Sequence, residues 1–166
     1  MLIVFILIIN IFITKKTYVE LHTSDVIKNS FELLKDEVNK IKNENCKKSL
    51  NDLLEEDSRI TFDGKVDLHS FYKLINTGRI LLHYDDIKTN CNISTDVLDE
   101  YDVPNKYLVK MSLYDSLISN YFYQYELAIT DGASRGYYEG LSQLSYNSLK
   151  YSEIELMKDY LKIIGG

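Results

Sequence analysis

Very few groups in this 166-residue chain have side chains that could do chemistry. There are three histidines (His22, His69 and His83), and only His83, with Asp85 and Asp86, belongs to a compact cluster able to hold a metal. That spacing matches no established ligand pattern, so the expectation is a solvated turn and no metal. Glycine-rich phosphate loops, a nucleophile elbow and a C-x-x-C pair are all absent from the sequence. Catalysis needs a nucleophile, an acid or a metal set in a pocket. The expectation is therefore a binding protein, not an enzyme, with no cofactor. Cys46 and Cys91 lie too far apart in sequence for a common metal motif. In an exported chain they would form one disulfide, and closing so long a loop is worth roughly 3–4 kcal/mol. In a cytosolic chain they would be two small apolar residues.

Tyrosine is the positive signal. Eleven of the fourteen lie between Tyr101 and Tyr160, and tyrosine combines a large rigid contact area with a hydroxyl that stays useful at an interface. Tyr123, Tyr138 and Tyr146 are the interface candidates, because Tyr123 falls off the apolar stripe of its segment and the other two can do so. Gly132, Gly136 and Gly140 recur every four residues, each costing about 0.8–1 kcal/mol in a helix interior. They line one face, which packs tightly against a neighbouring helix or offers a docking groove to a partner. Charge is the third signal. Residues 84–166 hold 7 Lys/Arg against 13 Asp/Glu, so the net −6 of the chain sits in this half. Between residues 85 and 102, Asp85, Asp86, Asp96, Asp99, Glu100 and Asp102 face only Lys88. Such a surface repels nucleic acid and suits a basic protein partner, with Asp96, Asp99 and Glu100 at its centre.

These groups must be held by helices, since one proline and seven glycines disfavour a turn-rich β fold. Tyr107, Met111, Tyr114, Ile118, Tyr121 and Tyr125 alternate at spacings of four and three, widened by Leu108 and Phe122, which predicts a central rod over 104–129. Pro104 fits its first turn. Ile27, Phe31, Leu34, Val38 and Ile41 give a second stripe, capped by Ser24. Leu50, Leu53 and Leu54 mark a shorter helix. Asp63-Gly64 predicts a loop or minimal hairpin, and Asp67 would cap the helix that follows. Residues 84–103 read as an acidic connection in which Ser94 caps a turn or two. Asp131 would cap a glycine-bearing helix, and Ser152 with Glu155 is a capping box opening a last one. The fold expected is all-α: an irregular bundle of about six helices around the rod, in a single domain over 23–166.

Residues 2–13 are apolar apart from Asn10. That run rises only about 18 Å, short of the roughly 30 Å hydrocarbon core but the length of a signal-peptide hydrophobic region. Residues 1–16 therefore read as a signal peptide or a hydrophobic anchor, with export to a periplasm or medium expected and a membrane anchor as the alternative. Asn92-Ile93-Ser94 is a glycosylation sequon that matters only in a eukaryotic secretory route.

Tyr107-Leu108, Asp131 with Ala133-Ser134, Tyr137-Tyr138-Glu139, Tyr146, Leu149 and Tyr160-Leu161 resemble the periplasmic immunity proteins of type VI secretion amidase effectors. The likeness covers about 60 residues, and the family's cysteines lie in that region whereas Cys46 and Cys91 precede it. The resemblance implies a small, exported, helical, disulfide-bearing inhibitor of a cell-wall-degrading toxin, and assigns no inhibitory residue. Asn76-Thr77-Gly78-Arg79-Ile80 is similar to the N-x-G-R-I core of a Bcl-2 homology segment, which implies a helical regulator. The expected function is thus a small exported protein that docks or neutralises a partner protein such as a basic toxin or enzyme. A membrane-associated structural subunit is the alternative, and a homodimer stays open.

Overall fold

The computed structural model describes residues 18–20, 22–55, 61–62, 65–67, 79–130 and 132–165, with the backbone alone over 18–20, 61–62, 65–67, 79–82, 121–130 and 132–135. The chain is all-α. Its described helices are α1 (Asp25–Asn39), α2 (Glu44–Leu54), α3 (Arg79–Asn90), α4 (Thr95–Glu100), α5 (Val103–Thr130) and α6 (Gly132–Gly165). A small sheet of β1 (Tyr18–Glu20), β2 (Thr61–Phe62) and β3 (Lys65–Asp67) accompanies them. Its order is β1-β3-β2, antiparallel throughout, with Val19 opposite Val66 and Phe62 opposite Lys65. The minimal hairpin expected near residue 63 is present, and β1 adds a third strand that a three-residue segment does not announce. The apolar segment 2–13, the Asp63-Gly64 turn, His69, residues 68–78 with most of the Bcl-2-like motif, and Asp131 lie outside the described residues.

The expected central rod is α5, whose 28 residues make about 42 Å of helix. It packs antiparallel against α6 along most of its length, Tyr107 meeting Tyr160 at one end and Asn120 meeting Ser145 toward the other. The buried face of α5 is Val103, Tyr107, Lys110, Tyr114 and Leu117, a four-three alternation. The expected stripe was placed slightly off this phase: Met111 and Ile118 are only half-buried, and Leu108 is 60% exposed. The side chains of Tyr121, Phe122 and Tyr125 are outside the described set.

α6 corrects another expectation. Its 34 residues form one uninterrupted helix through Ser152, so the S-x-x-E signature caps nothing. A buried row of Tyr146, Leu149, Glu153, Leu156 and Tyr160 continues on both sides of Ser152, and packing against α5 holds the helix together where a local cap would have ended it. α1 lies alongside α6, its start clamped by Gln143, which accepts from the His22 N–H and donates to the His22 carbonyl, each at 2.8 Å. Ser24 caps α1 as expected, and Ile27, Leu34 and Val38 are its buried face. Asn43 caps α2, accepting from the N–H groups of Asn45 and Cys46.

The acidic connection is mostly helical: residues 84–90 complete α3, and Ser94 caps α4. Two left-handed residues make the turns, Asn92 (φ 57°) and Asp102 (φ 55°). Asn92 ends α3 in a Schellman motif, since its N–H reaches the Thr89 carbonyl and the Ile93 N–H reaches that of Lys88. Asparagine tolerates that conformation better than other side chains do, and a β-branched residue would not. Asn92→Gly should leave stability unchanged or higher, while Asn92→Val should cost about 1–2 kcal/mol in a urea melt.

Candidate functional site

The two cysteines are joined: Cys46 on α2 is bonded to Cys91, one residue past α3. Around that bond Asn43 Nδ2 donates to the Asn90 carbonyl at 3.0 Å, and Asn90 Nδ2 donates to Ser49 Oγ at 2.8 Å. One covalent and two polar links therefore fix the α3–α4 corner against α2. From that corner Asp85, Asp86, Asp96, Asp99, Glu100 and Asp102 all project into solvent. Lys88, the basic residue among them, donates to Thr95 Oγ1 at 2.7 Å and so braces α4 against α3. The expected acidic surface is thus real in its composition, and it is a rigid two-helix corner instead of a loop.

His83, Asp85 and Asp86 do not converge. They stand on α3, where two residues of helix turn through about 200°, so Asp85 leaves the axis nearly opposite His83. Among the described residues no three His, Cys, Asp or Glu side chains gather as a metal site. A shallow open depression of about 360 Å³ on α1 and α2 is lined by Lys35, Lys47 and Lys48 with Glu44, Asp52 and Glu55 around Asn51. Its charges balance and its walls are not apolar, unlike a small-molecule site.

The tyrosine candidates separate. Tyr146 is buried, 4% exposed, against the expectation that it serves an interface. Its hydroxyl pairs with Thr23 Oγ1 at 3.2 Å, and Lys150 Nζ stands 5.5 Å from its ring centre, so it joins α6 to α1. Tyr138 is half-buried and packs edge-on against Tyr137, ring centres 5.2 Å apart, with Tyr137 itself 65% exposed. The Tyr123 side chain lies outside the described set. Of the two readings of the glycine face, Gly136 and Gly140 do not show the tight packing against a neighbouring helix. A Cβ at Gly136 or Gly140 would meet nothing within 4 Å, so neither permits a close approach of α5, and both face open solvent. Gly132 is the first residue of α6, and nothing further is described of its surroundings. The faces of α6 explain this arrangement. Residues 149, 153, 156 and 160 turn to α5, and 143, 146 and 150 turn to α1. The remaining face carries Tyr137, Leu144 and Tyr151, exposed by 65, 62 and 52%. α1 has its own exposed pair seven apart, Val26 and Leu33.

Sequence reasoning missed a buried ionic seam between α5 and α6. Lys110, Lys150 and Glu153 are all buried. The Glu153 carboxylate accepts from Lys150 at 3.2 Å through Oε2, and at Oε1 it meets Lys110 Nζ and the Tyr114 hydroxyl, each at 3.3 Å. Lys150 also stands 5.1 Å from the Phe31 ring centre, a cation–π contact that ties the seam to α1. Toward the α3–α4 corner, Lys106 bonds both Asp159 and the Tyr101 carbonyl. There Tyr160 donates to the Tyr107 hydroxyl at 3.2 Å, and Tyr84 meets the Tyr107 ring edge-on at 5.5 Å. The seam ties α6 to α5 through Lys110 and Tyr114 and to α1 through the Lys150–Phe31 contact.

Burial raises the phenol pKa of Tyr160, with Tyr107 adding to the effect, and raises that of Tyr146. Tyr84 is raised too, by desolvation and then by Asp99 and Asp85. Unfolded tyrosines ionise near 10.0, so above that pH the unfolded chain holds fewer protons than the folded one. Stability from these groups is complete below pH 10 and declines as pH rises. An ultraviolet pH titration should show part of the tyrosine absorbance change appearing only with unfolding.

No helix among the described residues is long and apolar enough to cross a membrane. No family model, curated protein or solved structure matches the chain.

Proposed function

We propose that this chain is a small exported binding protein that docks a basic partner protein through the α3–α4 corner. The observation that carries the reading is the combination of six exposed carboxylates with a disulfide-pinned, hydrogen-bonded support. A rigid acidic face loses little entropy on binding and steers a basic partner toward itself. The Cys46–Cys91 bond is compatible with an oxidising compartment, as export through residues 1–16 would require. Neutralising a secreted cell-wall-degrading toxin is the role that the immunity-protein resemblance supports. Tyr107, Tyr146, Leu149 and Tyr160, which carry much of that resemblance, are core residues here, so it speaks to packing and assigns no contact.

The test is co-purification from the native host with wild type and with an Asp96→Lys/Asp99→Lys/Glu100→Lys variant. These positions are exposed, so the variant should fold normally. Wild type should retain a partner that is released by salt, and the variant should lose it by at least about a hundredfold in affinity. Recovery of no partner by wild type, or equal recovery by both, would count against the proposal.

A further inference from the structure

We propose that the open face of α6 pairs with the same face of a second copy of this chain, antiparallel, about a two-fold axis at Leu144. This interface is separate from the acidic corner and stands or falls independently of it. The first support is the pattern of side-chain sizes. Reading outward from Leu144 in both directions, the face meets a small residue four positions away (Gly140 and Ser148) and a tyrosine seven away (Tyr137 and Tyr151). In an isologous antiparallel pair the residue at +n meets the one at −n. Tyrosine would therefore meet tyrosine, Gly140 would meet Ser148, and Leu144 would rest on its own copy. The open space around Gly136 and Gly140 gives the tyrosine rings room and lets the helices approach closely.

The second support is charge. Positions 137, 140, 141, 144, 148 and 151 carry none, in a chain whose residues are 27% charged. The acidic corner stands at the level of residues 159–160 of α6, fixed there by Lys106–Asp159 and by Tyr84 and Tyr160 about Tyr107. That is about 24 Å of helix beyond Leu144. Antiparallel pairing sends the two corners to opposite ends, far outside the roughly 8–10 Å screening length, whereas parallel pairing would set them side by side. Antiparallel helix dipoles favour the same choice.

The third is area. Tyr137, Leu144 and Tyr151 are exposed by 65, 62 and 52%, on the order of 400 Å² per copy or about 800 Å² for the pair, which is the size of a weak, reversible association.

The experiment is sedimentation equilibrium on the full chain with its disulfide intact. Wild type should have twice the mass of one chain. Leu144→Glu, which sets two carboxylates against each other on the axis, should weaken self-association at least about a hundredfold with an unchanged circular dichroism spectrum. Oxidising a mixture of Tyr137→Cys and Tyr151→Cys chains should give a crosslinked dimer, while Tyr151→Cys alone should not. A wild-type monomer at about 0.1 mM, a dimer that Leu144→Glu leaves intact, or self-crosslinking of Tyr151→Cys would overturn the proposal.

Discussion

Glu153→Ala is expected to destabilise the fold by about 3–5 kcal/mol, because it strips two buried ammonium groups of the carboxylate they share. Lys110 is fully buried and Lys150 nearly so, and neither can recover bulk hydration without parting α6 from α5 or from α1. The Tyr114 hydroxyl loses its hydrogen bond to the Glu153 carboxylate at the same time. Domains of this size are stable by only 5–15 kcal/mol, so the loss should appear as a large drop in urea midpoint with an unchanged slope. Glu153→Gln keeps an acceptor but not the charge, and should fall between the two. The decisive comparison is the triple variant Lys110→Met/Glu153→Leu/Lys150→Met. Exchanging a whole buried ionic cluster for apolar groups of similar size is often neutral or stabilising. It should therefore regain most of what the single change removes. If Glu153→Ala melts within about 0.5 kcal/mol of wild type, the seam is not the dry ionic contact described here.

The second large effect belongs to the disulfide. Cys46→Ala/Cys91→Ala should lower stability by about 3–4 kcal/mol, mainly by releasing the unfolded chain from a closed loop, with a smaller loss for the cavity at Cys46, which is 1% exposed. The same variant separates the two contributions at the α3–α4 corner. If the bond acts as a brace for the acidic surface, amide exchange at residues 91–102 should quicken by more than the global loss predicts. Uniform acceleration across all helices would reduce its role to chain entropy.

The elements of this fold were legible wherever apolar spacing and cap chemistry agreed. Ser24 with Ile27, Leu34 and Val38 is such a case, and Ser94 before α4 is another. The rod could be read from its length and rhythm, yet its phase was slightly off, because a stripe drawn through apolar residues alone passes over Lys110, which is buried. The correct face, 103-107-110-114-117, has the same four-three alternation and includes that lysine. Its counterpart on α6 was equally readable as 146-149-153-156-160, but Glu153 hides it in the same way. Following that row would have shown Gly136 and Gly140 on the far side, away from α5, and would have moved Tyr146 into the core. Ser152 misled for a different reason. A capping box is worth about a kcal/mol, and a helix that must match a 28-residue neighbour draws far more from burying its face. As for the candidate site, the carboxylates and the Cys46–Cys91 pairing were visible in the sequence, whereas the hydrogen bonds from Asn43 to Asn90 and from Asn90 to Ser49, and the seating of the bond beside the acidic corner, belong to the folded state alone.

One further consequence comes from where the Cys46–Cys91 bond sits in the chain. Everything between α2 and α3, including β2 and β3, lies inside the loop that it closes. A protease nick anywhere in that interval would yield two fragments that still migrate together until a thiol reductant parts them, with α1 and α2 on one piece and α3 to α6 on the other.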